Sequence, residues 1–216
     1  MPQQDSALGE ILLRSGLEAL PPGALEQLEA YLGLLETWNA RMNLTGIRNR
    51  EEMIDRHLVE SVFVAQKLPE KIGSLLDVGS GAGLPGIPIA ICRPEIRVSL
   101  AEAKSKKCAF LREALRETGL NCEVLQGWAE RTAAGRGFDA VVMRAVERMP
   151  QVLRSVRAEC RAECLEWLIL MTTQRDMEQY RTENPEFVWE QPIALRGREK
   201  SVLLMGRRAT RLERCS

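Results

Sequence analysis

The stretch LLDVGSGAGLPGIPIAI, Leu75 to Ile91, decides how this chain folds. An apolar run ends in an acid, Asp77. Glycines then alternate at Gly79, Gly81 and Gly83, and Pro85-Gly86-Ile87-Pro88 opens an apolar helical segment. Glycine inside regular structure costs about 0.5–1 kcal/mol relative to alanine, so a cluster of glycines needs a cause. Two are available: a sharp turn of the backbone, or a ligand that must approach it. A strand, a glycine turn and a helix form the unit that binds ligands outside the carboxyl ends of a parallel sheet. Free backbone N–H groups are expected to point at the ligand there.

Working outward, short β-rich runs alternate with helical ones after residue 73. The expected strands are Ser74–Val78, Arg97–Ala101, Cys122–Gln126, Ala140–Met143 and Trp167–Met171. The expected helices are Pro85–Cys92, Ser105–Thr118, Met149–Glu159 and Gln174–Tyr180, with Gly119 as a C′ glycine. This alternation predicts an α/β fold, a parallel sheet covered by helices on both faces. FVWEQPIAL and KSVLLMGR, near the end, have no helix between them and predict two strands, one antiparallel to the rest. Before residue 73, apolar residues recur at helical spacing: Leu8, Ile11 and Leu12, then Leu25, Leu28, Leu32 and Leu35, then a segment closed by Pro69. The expected organisation is a helical cap over 1–72, an α/β domain over 73–208 and a tail over 209–216.

Composition narrows the function classes. The 216 residues are 45% hydrophobic and 28% charged, which suits a globular chain and disfavours disorder or coiled coil. The first residues do not resemble a signal peptide and no apolar run is long enough to span a membrane, so a cytoplasmic monomer is expected. There are six cysteines but no C-x-x-C pair, and one histidine, His57; a zinc site is not expected. A single histidine and no G-x-S-x-G also disfavour a nucleophilic hydrolase. Thirty basic and thirty acidic residues cancel, so any contact with nucleic acid must rest on local clusters. Candidates are Arg41, Arg48, Arg50 and Arg56, and at the other end Arg196, Arg198, Lys200, Arg207, Arg208 and Arg211.

The site residues follow from the strand tips. Gly81-x-Gly83-x-x-Gly86 matches a dinucleotide fingerprint, but the glycines begin at Gly79, and Pro85 and Pro88 remove N–H donors that a pyrophosphate would use. Asp77 suits a cationic ligand. S-adenosylmethionine carries an ammonium and a sulfonium and no phosphate; NAD is the weaker candidate, since no hydride-transfer residue is visible. Glu102, about 20 residues on, stands where an acid takes ribose hydroxyls. Ala129 and Glu130 in GWAER are placed to line an adenine. Arg144 ends FDAVVMRAV; it either binds a cofactor carboxylate or an incoming phosphate, or pairs with an acid of the cap.

Together WNARMNLTGI, RHLVESV, the glycine run, GWAER and FDAVVMRAV resemble the RsmG (GidB) family, bacterial 16S ribosomal RNA guanine-N7 methyltransferases. The resemblance covers about residues 30 to 205. It implies a class I methyltransferase fold with an N-terminal helical cap, S-adenosylmethionine as methyl donor, and an acceptor guanine in 16S ribosomal RNA or the small subunit. Carried over by motif, Gly79, Leu84, Ala129, Glu130 and Arg144 are then expected at the cofactor, beside Gly81 and Glu102 of the turn and strand tip read above, and Asn39, Arg41, Asn43 and His57 on the RNA side. No general base is expected; Arg144 is the electrostatic and positioning group. The chain departs from the family after the fourth strand: the expected turn glycines are absent, Thr172-Thr173 stands where the next strand would end in Lys-Gly, and Arg175 follows in the turn beyond, where it could substitute for that lysine. An acceptor other than rRNA, or RNA binding without transfer, are the competing expectations.

Overall fold

A computed structural model describes residues 7–161, 163–195 and 200–210. Arg196, Arg198, Arg211 and most of the expected tail lie outside them.

Three helical segments come first. Helix α1 spans Ala7–Arg14 and α2 spans Ala24–Met42. Helix α3, Arg50–Met53, is capped by the Asn49 side chain, which accepts the Glu52 N–H. It continues through a π-helical segment, Ile54–Val59, into α4, Glu60–Lys67. The third expected helix is therefore one rod with a π turn in its middle.

The sheet follows. Its strands are β1 Ser74–Val78, β2 Arg97–Glu102, β3 Glu123–Gln126, β4 Ala140–Arg144, β5 Trp167–Thr173, β6 Phe187–Trp189, β7 Ile193–Ala194 and β8 Ser201–Arg208. The order is β3-β2-β1-β4-β5-β8-β6, with β7 also on β8. Strands β1 to β5 are parallel; β8 runs antiparallel to β5, as the missing helix before it predicts. FVWEQPIAL divides into β6 and β7, because Pro192 cannot donate to a ladder. The intervening helices are α5 Gly86–Cys92, α6 Ser105–Thr118, α7 Ala129–Thr132, α8 Met149–Glu159 and α9 Met177–Glu183. The last begins three residues later than expected, because β5 runs on through Thr173 and residues 174–176 turn.

Residues alternate across the sheet, as the pleat requires. Leu75, Leu100, Ala140, Val142 and Ile169 face one core; Leu76, Ala101, Val141, Met143 and Leu170 face the other. The first core also contains Leu28, Tyr31, Leu32, Leu35, Leu58 and Val62 of the cap. The change of pattern at residue 73 therefore separates helices from sheet within one shared core. Helices α7, α8 and α9 cover the second face through Ala129, Leu153, Val156 and Tyr180.

Candidate functional site

Strand order reverses between β1 and β4, so their carboxyl ends frame the site. The loop after β1 is held internally. Gly79 N and Ser80 N both donate to Ala101 O, at 2.9 and 3.0 Å. Gly81 N donates to Glu102 Oε2 at 3.0 Å, Gly83 N to Ser80 O, and Gly86 N to Asp77 Oδ2 at 3.1 Å. This corrects the expectation of free N–H donors: at these positions they are spent on β2, on Asp77 of β1 and on the loop itself. The glycines serve conformation instead. Gly79, Gly81 and Gly83 have φ of 69°, 59° and 84°, the left-handed region that side chains resist.

The spent donors bear on the ligand. A phosphate would need those N–H groups. A cationic nucleoside needs acceptors, and the site has them. Glu102 is buried at the tip of β2; Gly81 N holds one oxygen and Lys104 N the other, at 3.0 and 2.8 Å. A carboxylate so held is fixed in direction yet keeps a lone pair on each oxygen, the arrangement that takes two ribose hydroxyls. A Cβ on Gly81 would meet only Gly79 O and Lys107 Nζ, both at 3.6 Å, so this side of the loop is open. Gly79 differs, since a Cβ there would lie 3.0 Å from Val146 Cγ2. These residues fit S-adenosylmethionine, which has no phosphate to place.

Asp77 is buried beneath the loop, and burial pushes its carboxyl up to about 7 against the Ser80 and Gly86 hydrogen bonds and the Arg144 charge. Its role is internal: it anchors Gly86, where a Cβ would come within 2.5 Å of both Asp77 Oδ2 and Leu100 Cδ2. Leu84 is buried in the first core. Ala129 is buried at the start of α7 and Glu130 is half-buried beside it; Trp128, before them, is 63% exposed.

Arg144 turns toward the cap. Its Nη2 donates to Glu60 Oε2 and Arg56 O, both at 2.7 Å, and lies 3.0 Å from His57 Nδ1. Of the readings open for it, an ion pair with a cap acid is the one this geometry contains. The π turn brings Arg56, His57 and Glu60 to one guanidinium. His57 Nε2 lies 2.7 Å from Thr45 Oγ1. Asn39 is buried and holds the same loop: Oδ1 accepts Thr45 N and Nδ2 donates to Ile47 O, both at 2.8 Å. So Asn39 and His57 shape the 43–47 turn from beneath, while Asn43 is exposed on it and the exposed Arg41, at the end of α2, and Arg48 flank it, Arg48 donating to Asn43 Oδ1.

Two features were missed from sequence. Tyr31, in α2, donates to Ala82 O of the glycine loop at 2.6 Å while buried. A polar aromatic within a leucine stripe was the available signal, since a buried hydroxyl needs a partner. The second is a cavity of about 370 Å³ beyond the tips of β4 and β5, lined by Arg144, Val146, Arg148, Thr172, Asp176 and Tyr180 among others. Two of its residues, Ala145 and Arg148, have φ of 49° and 53°, strain of about 1–3 kcal/mol each of the kind that gathers at ligand sites. Arg175, the cation that follows Thr172-Thr173 in sequence, is not in its wall; Arg148 is.

The model of the family described as rRNA small subunit methyltransferase G, GidB, matches residues 24–198. This chain belongs to that family. It is 43% identical over 139 residues to ribosomal RNA small subunit methyltransferase G of Methylobacillus flagellatus, covering 64% of this chain and 67% of that one. The namesake from Alkalilimnicola ehrlichii is 44% identical over 156 residues, covering 68% and 70%. Among solved structures, the Synechocystis magnesium protoporphyrin IX methyltransferase with bound SAM superposes with a TM-score of 0.59 at 14% identity, over 83% of this chain and 97% of that one. A Bacillus cereus O-methyltransferase in complex with SAH gives 0.59 at 15% identity, over 82% and 90%. These structural likenesses carry the fold: a class I methyltransferase sheet. Among the described residues no group of three metal-ligating side chains occurs, and no helix is long and apolar enough to cross a membrane.

Proposed function

We propose that this chain transfers a methyl group from S-adenosylmethionine to N7 of a guanine in small-subunit ribosomal RNA. The observation that carries the reading is the β1 loop with its Gly79, Ser80, Gly81 and Gly83 N–H groups spent and the Glu102 carboxylate fixed beside its open side. That site suits a nucleoside without phosphates, and membership of the GidB family supplies the acceptor class.

When bound, S-adenosylmethionine supplies an electrophilic methyl group on a sulfonium. Guanine N7 has an exposed lone pair and no proton at neutral pH, so the protein has no proton to remove. Its residues bind and orient. Glu102 holds ribose hydroxyls; Gly81 lets the ligand approach the backbone, with Gly79 turning the loop beside it; Ala129 and Glu130 border the adenine. Arg144 is a positioning residue, locking the π turn of the cap against the end of β4. The exposed Arg41, Asn43 and Arg48 present a cationic, hydrogen-bonding turn to RNA. Holding a nucleophile in line with its target accounts for up to about 7–11 kcal/mol of a barrier, enough for a transfer that uses no acid or base.

Thr172-Thr173 at the end of β5 favours one alternative, a different acceptor, because those two positions bring no cation to the site. Mapping 7-methylguanosine in rRNA from cells with and without this protein decides. Loss of one site supports the proposal; an unchanged map rejects it.

A further inference from the structure

The cavity beyond β4 and β5 lies next to the glycine loop. Val146 lines it, and the same Val146 side chain approaches Gly79. At about 370 Å³ it falls within the range of small-ligand sites. Thr172 and Thr173 leave its β5 wall uncharged, whereas Arg148 puts a cation on the β4 side.

Two acids reach this space, Glu60 and Asp176. Glu60 is committed to Arg144. Asp176 occupies the N-cap position of α9, where an Asp carboxylate ordinarily turns back to accept a helix N–H. Here it makes no such bond. Among the described residues its carboxylate accepts the Thr173 hydroxyl, Oγ1 to Oδ2 at 2.8 Å, which fixes its direction. A carboxylate has about four acceptor positions, so capacity remains for a ligand with two donors.

Guanine has such an edge. For N7 to approach the glycine loop, the base must turn its five-membered ring toward it. The N1–H and the 2-amino group, two parallel donors, then point away from the loop, into the cavity that Asp176 lines. Adenine presents an acceptor at N1 and no 2-amino group. A base drawn out of its stack into a pocket is commonly read along this edge.

We infer that this cavity receives the target guanine, with Asp176 accepting from its N1–H and 2-amino group and Arg148 holding the adjoining phosphate. The inference rests on the function proposed above and assigns that reaction its acceptor-reading residues. Asp176→Asn keeps the shape but exchanges the charged acceptor for an amide, whose NH₂ opposes a guanine donor. Hydrogen bonds to charged groups carry about tenfold or more in affinity.

The test begins with binding, which needs no methyl transfer. Wild type, Asp176→Asn and Arg148→Gln are titrated by calorimetry with guanosine, inosine and adenosine 5′-monophosphates; inosine lacks only the 2-amino group. Wild type is expected to prefer guanosine over inosine, and inosine over adenosine. Asp176→Asn should lose at least tenfold of the guanosine preference, with S-adenosylmethionine affinity within twofold of wild type. Arg148→Gln should weaken all three nucleotides together and leave their ranking intact. Single-turnover transfer to small-subunit rRNA carrying guanosine or inosine at the mapped site should show the same compression in Asp176→Asn. Equal binding of the three nucleotides by wild type, or an unchanged ranking in Asp176→Asn, overturns the inference. A wild type that ranks the nucleotides as stated yet methylates no rRNA fails the proposed function alone.

Discussion

Arg144 and Glu60 form a buried ion pair, Nη2 to Oε2 at 2.7 Å, with side chains 7% and 2% exposed, joining the end of β4 to the first residue of α4. Removing one partner of such a pair strands the other charge away from water, at a cost of about 3–5 kcal/mol. Arg144→Ala is therefore expected to lower both stability and methyl transfer. Urea unfolding of Arg144→Ala, Glu60→Ala and the double variant checks this. The double variant should be less destabilised than the sum of the singles. Strict additivity would show that the two charges do not depend on each other.

Asp77 gives stability a pH dependence of definite sign. Burial raises its carboxyl from 3.8 to about 7. The folded chain thus keeps a proton that the unfolded chain releases, so this group's contribution falls as pH rises from about 4 to about 7 and is level above that. Asp77→Asn retains an oxygen for the Gly86 N–H but cannot ionise. Relative to wild type, the variant should gain stability steadily across that window and hold the gain above it. Urea midpoints measured at intervals from pH 4 to 8 test this; a constant difference between the two proteins would remove the buried titration.

Much of the fold was legible because periodicity reports burial. The leucine stripe of α2 and the apolar runs of β1, β2, β4 and β5 mark surfaces that must leave water, and glycine and proline mark their ends. The hydrogen bonds that complete the site were not legible, since they join distant parts of the chain. Nothing near Gly81 in sequence indicates that its N–H would be taken by Glu102, or that Gly79 and Ser80 would share Ala101 O. The π turn at Ile54–Val59 arises where one segment must deliver Arg56, His57 and Glu60 to a single guanidinium. Asn39 and His57 were legible as polar residues of consequence, but only the fold distinguishes a side chain that shapes a turn from one that stands exposed on it.

Gly81 and Gly86 separate binding from folding. A methyl group on Gly86 would collide with Asp77 and Leu100 at 2.5 Å, and overpacking of this kind costs about 1–3 kcal/mol. A methyl group on Gly81 meets nothing closer than 3.6 Å, so its cost is the left-handed backbone alone, about 1 kcal/mol. Gly81→Ala nevertheless places that methyl on the open side of the loop. Calorimetric titration with S-adenosylmethionine should find Gly81→Ala folded but binding at least tenfold more weakly. Gly86→Ala should lose thermal stability first. Unimpaired binding by Gly81→Ala would move the cofactor away from this loop.

Tyr31 extends the same logic to the cap. Its hydroxyl is the hydrogen-bond donor to Ala82 O at 2.6 Å, and burial raises its ionisation far above the ordinary phenol, so it remains a donor at any working pH. Its ring packs beside Phe110 of α6, with centroids 6.4 Å apart. Tyr31→Phe keeps that packing and removes one oxygen, leaving a buried carbonyl unsatisfied at a cost of about 1–3 kcal/mol. If the cap only covers the sheet, that loss appears in stability and nowhere else. If the hydroxyl also sets the position of the glycine loop, S-adenosylmethionine affinity falls with it. We expect both, with kcat at saturating cofactor changed less than affinity, because the loop holds the donor and does not touch the acceptor base. Stability loss with unchanged affinity would confine Tyr31 to packing.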